Sequence, residues 1–146
     1  MANEDMRDWI RQDLESFLPK EGERLTFNGR MRPELEDCDE DSRTLTLKFP
    51  MQDWEVNGIG TLHGGLISCM ADLTMSIVLR YYMKGGIPPT ISMTVNYMKT
   101  VPLDGYALVR ARVTSVGRRV GTGCCEVIVP STGKVAATAI GTFATV

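Results

Sequence analysis

Residues 66–79, LISCMADLTMSIVL, are apolar except for small hydroxyls, one thiol and one charge, Asp72. Such a run has to be buried. It is too short for a membrane helix, which needs about 18 uninterrupted apolar residues, and Asp72 divides it. It therefore predicts a core helix from about residue 64 to 83, with apolar residues on every face except that around Asp72. His63, the only histidine of the chain, stands just before it, followed by Gly64 and Gly65. KGGIPP stops it, with glycines suited to a C-cap and prolines that cannot continue the helix.

The remaining chain has to cover this helix. Met6, Trp9, Ile10, Asp13, Leu14 and Phe17 recur at three and four, which predicts an amphipathic N-terminal helix over residues 1–18, ending near Pro19. ELEDCDEDSR reads as a solvated turn or hairpin. In RTLTLKF, Leu45, Leu47 and Phe49 alternate with Thr44, Thr46 and Lys48, as a strand requires. TISMTVNYM (90–98), YALVRARVTSV (106–116), RRVGTGCCEVIVP (118–130) and KVAATAIGTFATV (134–146) read as four further strands. PLDG, SVGRR and PSTGK supply turns between them, so the consecutive strands are expected to be antiparallel neighbours. The chain predicts one α+β domain over residues 1–146, an antiparallel sheet wrapped around a long central helix.

Charge and cysteine usage narrow the function. Sixteen Lys and Arg against 18 Asp and Glu give a net charge of −2, which argues against a nucleic-acid partner. Cys38, Cys69, Cys124 and Cys125 form no CxxC, and the adjacent pair in a strand points to opposite faces. A reducing, cytoplasmic setting is expected, with no metal site and no cofactor. The N-terminus lacks the basic start and apolar core of a signal peptide, and no membrane partner is expected.

The segment 57–72, NGIGTLHGGLISCMAD, concentrates the chemistry. A helix N-terminus leaves N–H groups unpaired and favours negative charge, and Gly64 and Gly65 allow a ligand oxygen close to that backbone. A carbonyl gaining charge during acyl transfer would be stabilised there. Asp72, eight positions after Gly64, lies about 12 Å further along the axis. An attacking water must come within about 3–3.5 Å of the carbonyl carbon, so one helix cannot supply both halves. Two antiparallel helices at a two-fold interface can, with Gly64 of one chain facing Asp72 of the other. Blander roles remain open: Asp72 as a core carboxylate bonded to Ser68 or Ser76, His63 as a cap histidine, Asn57 as a turn residue. Cys69 and His63, six residues and about 9 Å apart along a helix, form no nucleophilic dyad within one chain.

NGIGTLHGGLISCMAD followed by TISMTVNYMKTVPLDG resembles the hotdog-fold acyl-CoA thioesterases of the phenylacetic-acid-degradation type, over about residues 43–146. The resemblance implies a role for each matching residue. Asn57 would help to hold the thioester, His63 would orient the site, and the Gly64 N–H would polarise the carbonyl. Asp72, from the opposite subunit, would act as general base on water or as nucleophile, and Thr90 would position the water. Hydrolysis of an aryl- or medium-chain acyl-CoA to free acid and CoA is implied, in a homodimer or a dimer of dimers. Arg118 and Arg119, on the turn SVGRRVG, are candidates for the CoA phosphates. The rival readings are a non-catalytic acyl-CoA-binding hotdog module and a hotdog dehydratase or hydratase.

Overall fold

The computed structural model describes residues 2–145; Met1 and Val146, the outer ends of the predicted first helix and last strand, lie outside the described residues. Helix α1 (Ala2–Glu15) is followed by a single turn, α2 (Phe27–Arg30), and by strands β1 (Glu34–Asp39) and β2 (Thr44–Pro50). A 3-10 turn (Asp53–Glu55) precedes the central helix α3 (Gly64–Tyr82). Strands β3 (Thr90–Tyr97), β4 (Tyr106–Val116), β5 (Val120–Val129) and β6 (Lys134–Ala144) complete the chain. The helix α1 stops three residues before Leu18 because Phe17 and Leu18 donate to Leu14 and Glu15 carbonyls at 3.1 Å, a tightened final turn. Arg118 and Arg119 belong to the β4–β5 turn, outside β5.

All six strands form one antiparallel sheet in the order β1-β2-β4-β5-β6-β3. The expectation that consecutive strands are neighbours holds for β4, β5 and β6 but not for β3, which pairs with β6 at the far edge. The connection 98–105 is a crossing rather than a tight turn. Met98 and Lys99 N–H groups both donate to the Ala136 carbonyl, and the Val101 carbonyl then accepts from Leu62 N–H at 2.9 Å. Val101 is buried. The chain thus leaves β3, runs against the loop ahead of α3, and begins β4 on the other side of the sheet.

Sheet and helix share one core. Leu45, Leu47 and Phe49 of β2, Val109 and Val113 of β4, Val127 of β5 and Phe143 of β6 are buried, as are Met70, Met75, Ile77 and Leu79 of α3. Met75 lies over Gly123 and Gly141, its Cε only 3.1 Å from where a Cβ on Gly141 would be. The buried Thr74 hydroxyl donates to the Met70 carbonyl at 2.7 Å, so it costs the core little. Helix α1 packs Met6 and Ile10 inward and is pinned to the end of α3 by Asp13 and Arg80, 2.6 Å apart. Trp9 meets Tyr81 edge to face at 5.6 Å.

The sheet covers α3 on one side only. Gly64, Ser68, Cys69, Asp72 and Ser76 remain half-exposed, so the expected apolar packing on every face but that of Asp72 is confined to the sheet side. Strand β3 flanks this open stripe and contains a bulge. Thr90 opposes Phe143 and Ser92 opposes Thr142, leaving Ile91 as the extra residue. Because Phe143 faces the core, Thr90 does too, and so does Tyr97 opposite the buried Ala137. The helix wrapped by this sheet is the hotdog arrangement.

Candidate active site

His63 caps α3. Its backbone is extended (φ −61°, ψ 131°), and its Nδ1 accepts from the Gly65 N–H at 2.9 Å. In the neutral ring the proton is therefore on Nε2. The His63 N–H donates to the Glu55 carbonyl at 2.9 Å, which ties the cap to the 3-10 turn. Glu55 itself is buried, its Oε1 accepting from Gln52 N–H at 2.8 Å, and burial pushes its carboxyl above the ordinary value. A Cβ on Gly65 would come within 3.0 Å of the His63 Nδ1, so glycine there makes room for the cap.

With the Gly65 N–H taken by the cap, the first N–H of the helix, that of Gly64, has no acceptor among the described residues. It borders a cleft of about 320 Å³ whose walls include Asn57, Thr61, Leu62, Tyr97 and Thr100. The Tyr97 ring lies against Gly64, its Cε1 3.4 Å from where a Cβ would be, and its hydroxyl is hydrogen-bonded to Ser68. Sequence reasoning did not single out Tyr97 and weighed Ser68 only as a partner for Asp72. The available signal was spacing: Ser68 falls four residues from both Gly64 and Asp72, hence on their face.

Asn57 is occupied locally. Its Oδ1 accepts from the Ile59 and Thr61 N–H groups at 3.0 and 2.9 Å, and its Nδ2 donates to Thr61 Oγ1 at 2.8 Å. The amide builds the loop ahead of the cap, as its turn reading expects.

Asp72 is half-exposed, and its Oδ1 accepts from the Thr90 hydroxyl at 2.6 Å. Thr90 is the one hydrogen-bond partner of this carboxylate among the described residues, and the β3 bulge brings it there. Ser68 and Ser76, weighed as partners for Asp72, do not serve; Ser68 bonds Tyr97 instead. The Cys69 thiol is pushed up first by burial and then by the Asp72 charge, so it is no ready nucleophile.

The structure brings Asp72 to Thr90 and Gly64 to His63 and Gly65, but keeps the two groups about 12 Å apart along α3. Arg118 and Arg119 lie at the Asp72 end. The Arg119 carbonyl accepts from Thr145 N–H, and the neighbouring Ala144 N–H donates to Pro89, both at 2.9 Å. Arg110 and Arg112 project from the outer sheet face, Arg110 facing Glu126 at 3.7 Å.

The profile of the thioesterase superfamily matches residues 59–136, from the loop ahead of His63 into β6. Mouse acyl-coenzyme A thioesterase 13 is 23% identical over 93 residues, 64% of this chain and 66% of that protein, so the match spans just under two-thirds of the relative's length. The fold superposes on zebrafish thioesterase superfamily member 2 with a TM-score of 0.79 at 19% identity, covering 94% of this chain and 96% of that one. A phenylacetic acid degradation-related protein of Ralstonia eutropha superposes with a TM-score of 0.76 at 20% identity, over 93% and 98% of the two chains. The sheet-wrapped helix is common to all three structures, and the matched segment holds the glycine cap and Asp72 on more than half of the sequence: the chain belongs to the thioesterase superfamily.

Proposed function

We propose that this protein is an acyl-CoA thioesterase that hydrolyses an aryl- or medium-chain acyl-CoA, working as a homodimer at least. One observation carries the reading: a Gly64 N–H with no acceptor among the described residues and a hydroxyl-held Asp72 lie on the same open stripe of α3, too far apart to act on one carbonyl within a chain. A second copy, antiparallel across that stripe, sets its Asp72 opposite Gly64. The outer edge of β3, unpaired in the single chain and carrying exposed Ile91 and Tyr97, favours such pairing. A further dimer can dock on this assembly, and light scattering distinguishes dimer from dimer of dimers.

In this site the thioester oxygen accepts from the Gly64 N–H. Thr90 occupies Oδ1 of Asp72, which leaves Oδ2 to take a proton from water as the water oxygen bonds the carbonyl carbon. The tetrahedral oxyanion is stabilised by the N–H and the helix dipole. On collapse the C–S bond breaks, and the proton held by Asp72 passes to the departing thiolate, giving acid and free CoA. His63 acts through the backbone, fixing the first turn of α3. Arg118 and Arg119 would meet CoA phosphates at the Asp72 end. The relative's acyl-CoA activity supports the substrate class, and a reducing, cytoplasmic setting suits four free cysteines.

The test is thiol release, trapped colorimetrically, from phenylacetyl-CoA and hexanoyl-CoA. Turnover by the wild type and its loss in Asp72→Asn, with the dimer intact, is the expected result. Binding of both esters with no thiol released over hours would instead make the protein a non-catalytic acyl-CoA module.

A further inference from the structure

An anionic tetrahedral intermediate is ordinarily held by more than one donor, yet the Gly64 N–H is a single one. Asn57, which the resemblance would enlist to hold the thioester, spends its Nδ2 on Thr61 Oγ1 at 2.8 Å and, more weakly, on the Leu62 carbonyl at 3.4 Å. The His63 Nδ1 is taken by Gly65. Of the side chains that line the cleft, Tyr97 lies nearest to Gly64, and its hydroxyl is paired with that of Ser68. Two hydroxyls that share one hydrogen bond use one of their two hydrogens, whichever donates, and the other is left to give to a third group. This pair is well placed. The Tyr97 Cζ is 3.8 Å from the Cβ position of Gly64, with the hydroxyl one bond beyond. Helical side chains lean toward the N-terminus, so Ser68 directs that hydroxyl over the first turn rather than away from it.

We infer that the Tyr97 hydroxyl, set in place by Ser68, is the second donor to the thioester oxygen, alongside the Gly64 N–H. Tyr97 is then a catalytic residue and Ser68 a positioning residue. The inference rests on the thioesterase reading, and it names the group that completes its oxyanion site. One edge of the Tyr97 ring lies beside this glycine, its Cε1, Cδ1 and Cζ at 3.4, 3.8 and 3.8 Å from the Cβ position, which sets the hydroxyl near the Gly64 N–H. No covalent step is added; the hydroxyl hydrogen is shared more strongly as the oxygen gains charge and returns when the C–S bond breaks.

The experiment compares Tyr97→Phe, Ser68→Ala, Ser68→Thr and the double variant Tyr97→Phe/Ser68→Ala as intact dimers, with wild type and Asp72→Asn alongside, on the same two CoA esters. Removing one donor of this kind lowers kcat by about 100-fold. Tyr97→Phe should show that loss with KM within about two-fold of wild type, because the donor matters most to the charged intermediate. Ser68→Ala should lose less, Ser68→Thr should recover most of it, and the double variant should be no slower than Tyr97→Phe alone, since the two hydroxyls act as a unit. Wild-type kcat in Tyr97→Phe, or a loss confined to KM, overturns the assignment while leaving the thioesterase reading intact if Asp72→Asn is dead. Absence of turnover in the wild type overturns both.

Discussion

Two carboxylates on or against α3 are held in opposite ways. Asp13 reaches the C-terminal end of the helix from α1, is almost wholly buried, and touches the Arg80 guanidinium at 2.6 Å. Burial pushes its carboxyl above the ordinary value while Arg80 pulls the other way. Asp72, at the middle of the helix, is half-exposed and held by one neutral hydroxyl. Depth of burial therefore picks out the structural carboxylate, not the one proposed to react. A group that must exchange a proton with a water needs a lone pair left over and a path to it, and Asp72 has both. Asp13, paired with the Arg80 guanidinium that lies 5.9 Å from the Trp9 ring centroid, joins two helices.

The comparison predicts opposite phenotypes. Asp72→Asn should cut turnover by about 10³-fold, or ~4 kcal/mol of barrier, with no loss in urea stability. Asp13→Ala should do the reverse: about 2–3 kcal/mol of unfolding free energy lost, below the full cost of an orphaned buried charge because Arg80 keeps some access to water. Its turnover per folded molecule should match wild type. A variant in either place that lost both properties equally would erase the distinction. Thr90→Val tests the hydroxyl itself, keeping shape while removing the bond to Asp72. An approximately tenfold drop in kcat is expected, the worth of one hydrogen bond to a charge. Glu55 sharpens the structural side. Its folded value is raised above 4.5 by burial, so the stability it contributes is full below that pH and is lost as pH rises through the folded value. Glu55→Gln keeps an acceptor for the Gln52 N–H without that loss. Its melting temperature, measured calorimetrically, should exceed that of wild type at pH 8 and match it near pH 4.

The central helix was legible to within a residue, because a long apolar run bounded by glycines leaves few alternatives. The strands of the hairpins β4–β5–β6 were legible for the same reason, alternation plus short turns. The partner of β3 was not. Its sequence describes a strand followed by a turn-like PLDG, and only the need to enclose the helix end sends the chain across to the other side of the sheet. Short elements such as Phe27–Arg30 and Asp53–Glu55 carry too few residues for a period to show. In the candidate site, Gly64 and Asp72 could be singled out because glycine pairs and lone charges stand out in an apolar run. Asp13 and Arg80 could not be paired from a separation of 67 positions, and Tyr97 was masked by its strand, where a tyrosine is ordinary.

The bulge at Ile91 resets the alternation of β3. It introduces a phase slip of one residue, so the inward-pointing positions before and after it differ in parity: Thr90 on one side, Met93, Val95 and Tyr97 on the other. A homologue of equal length that paired without the bulge, with position 91 opposite Phe143, would keep every buried side chain downstream and would still close its sheet, yet the hydroxyl at its strand entrance would look out into solvent. Register here encodes chemistry that no substitution of Thr90 could restore.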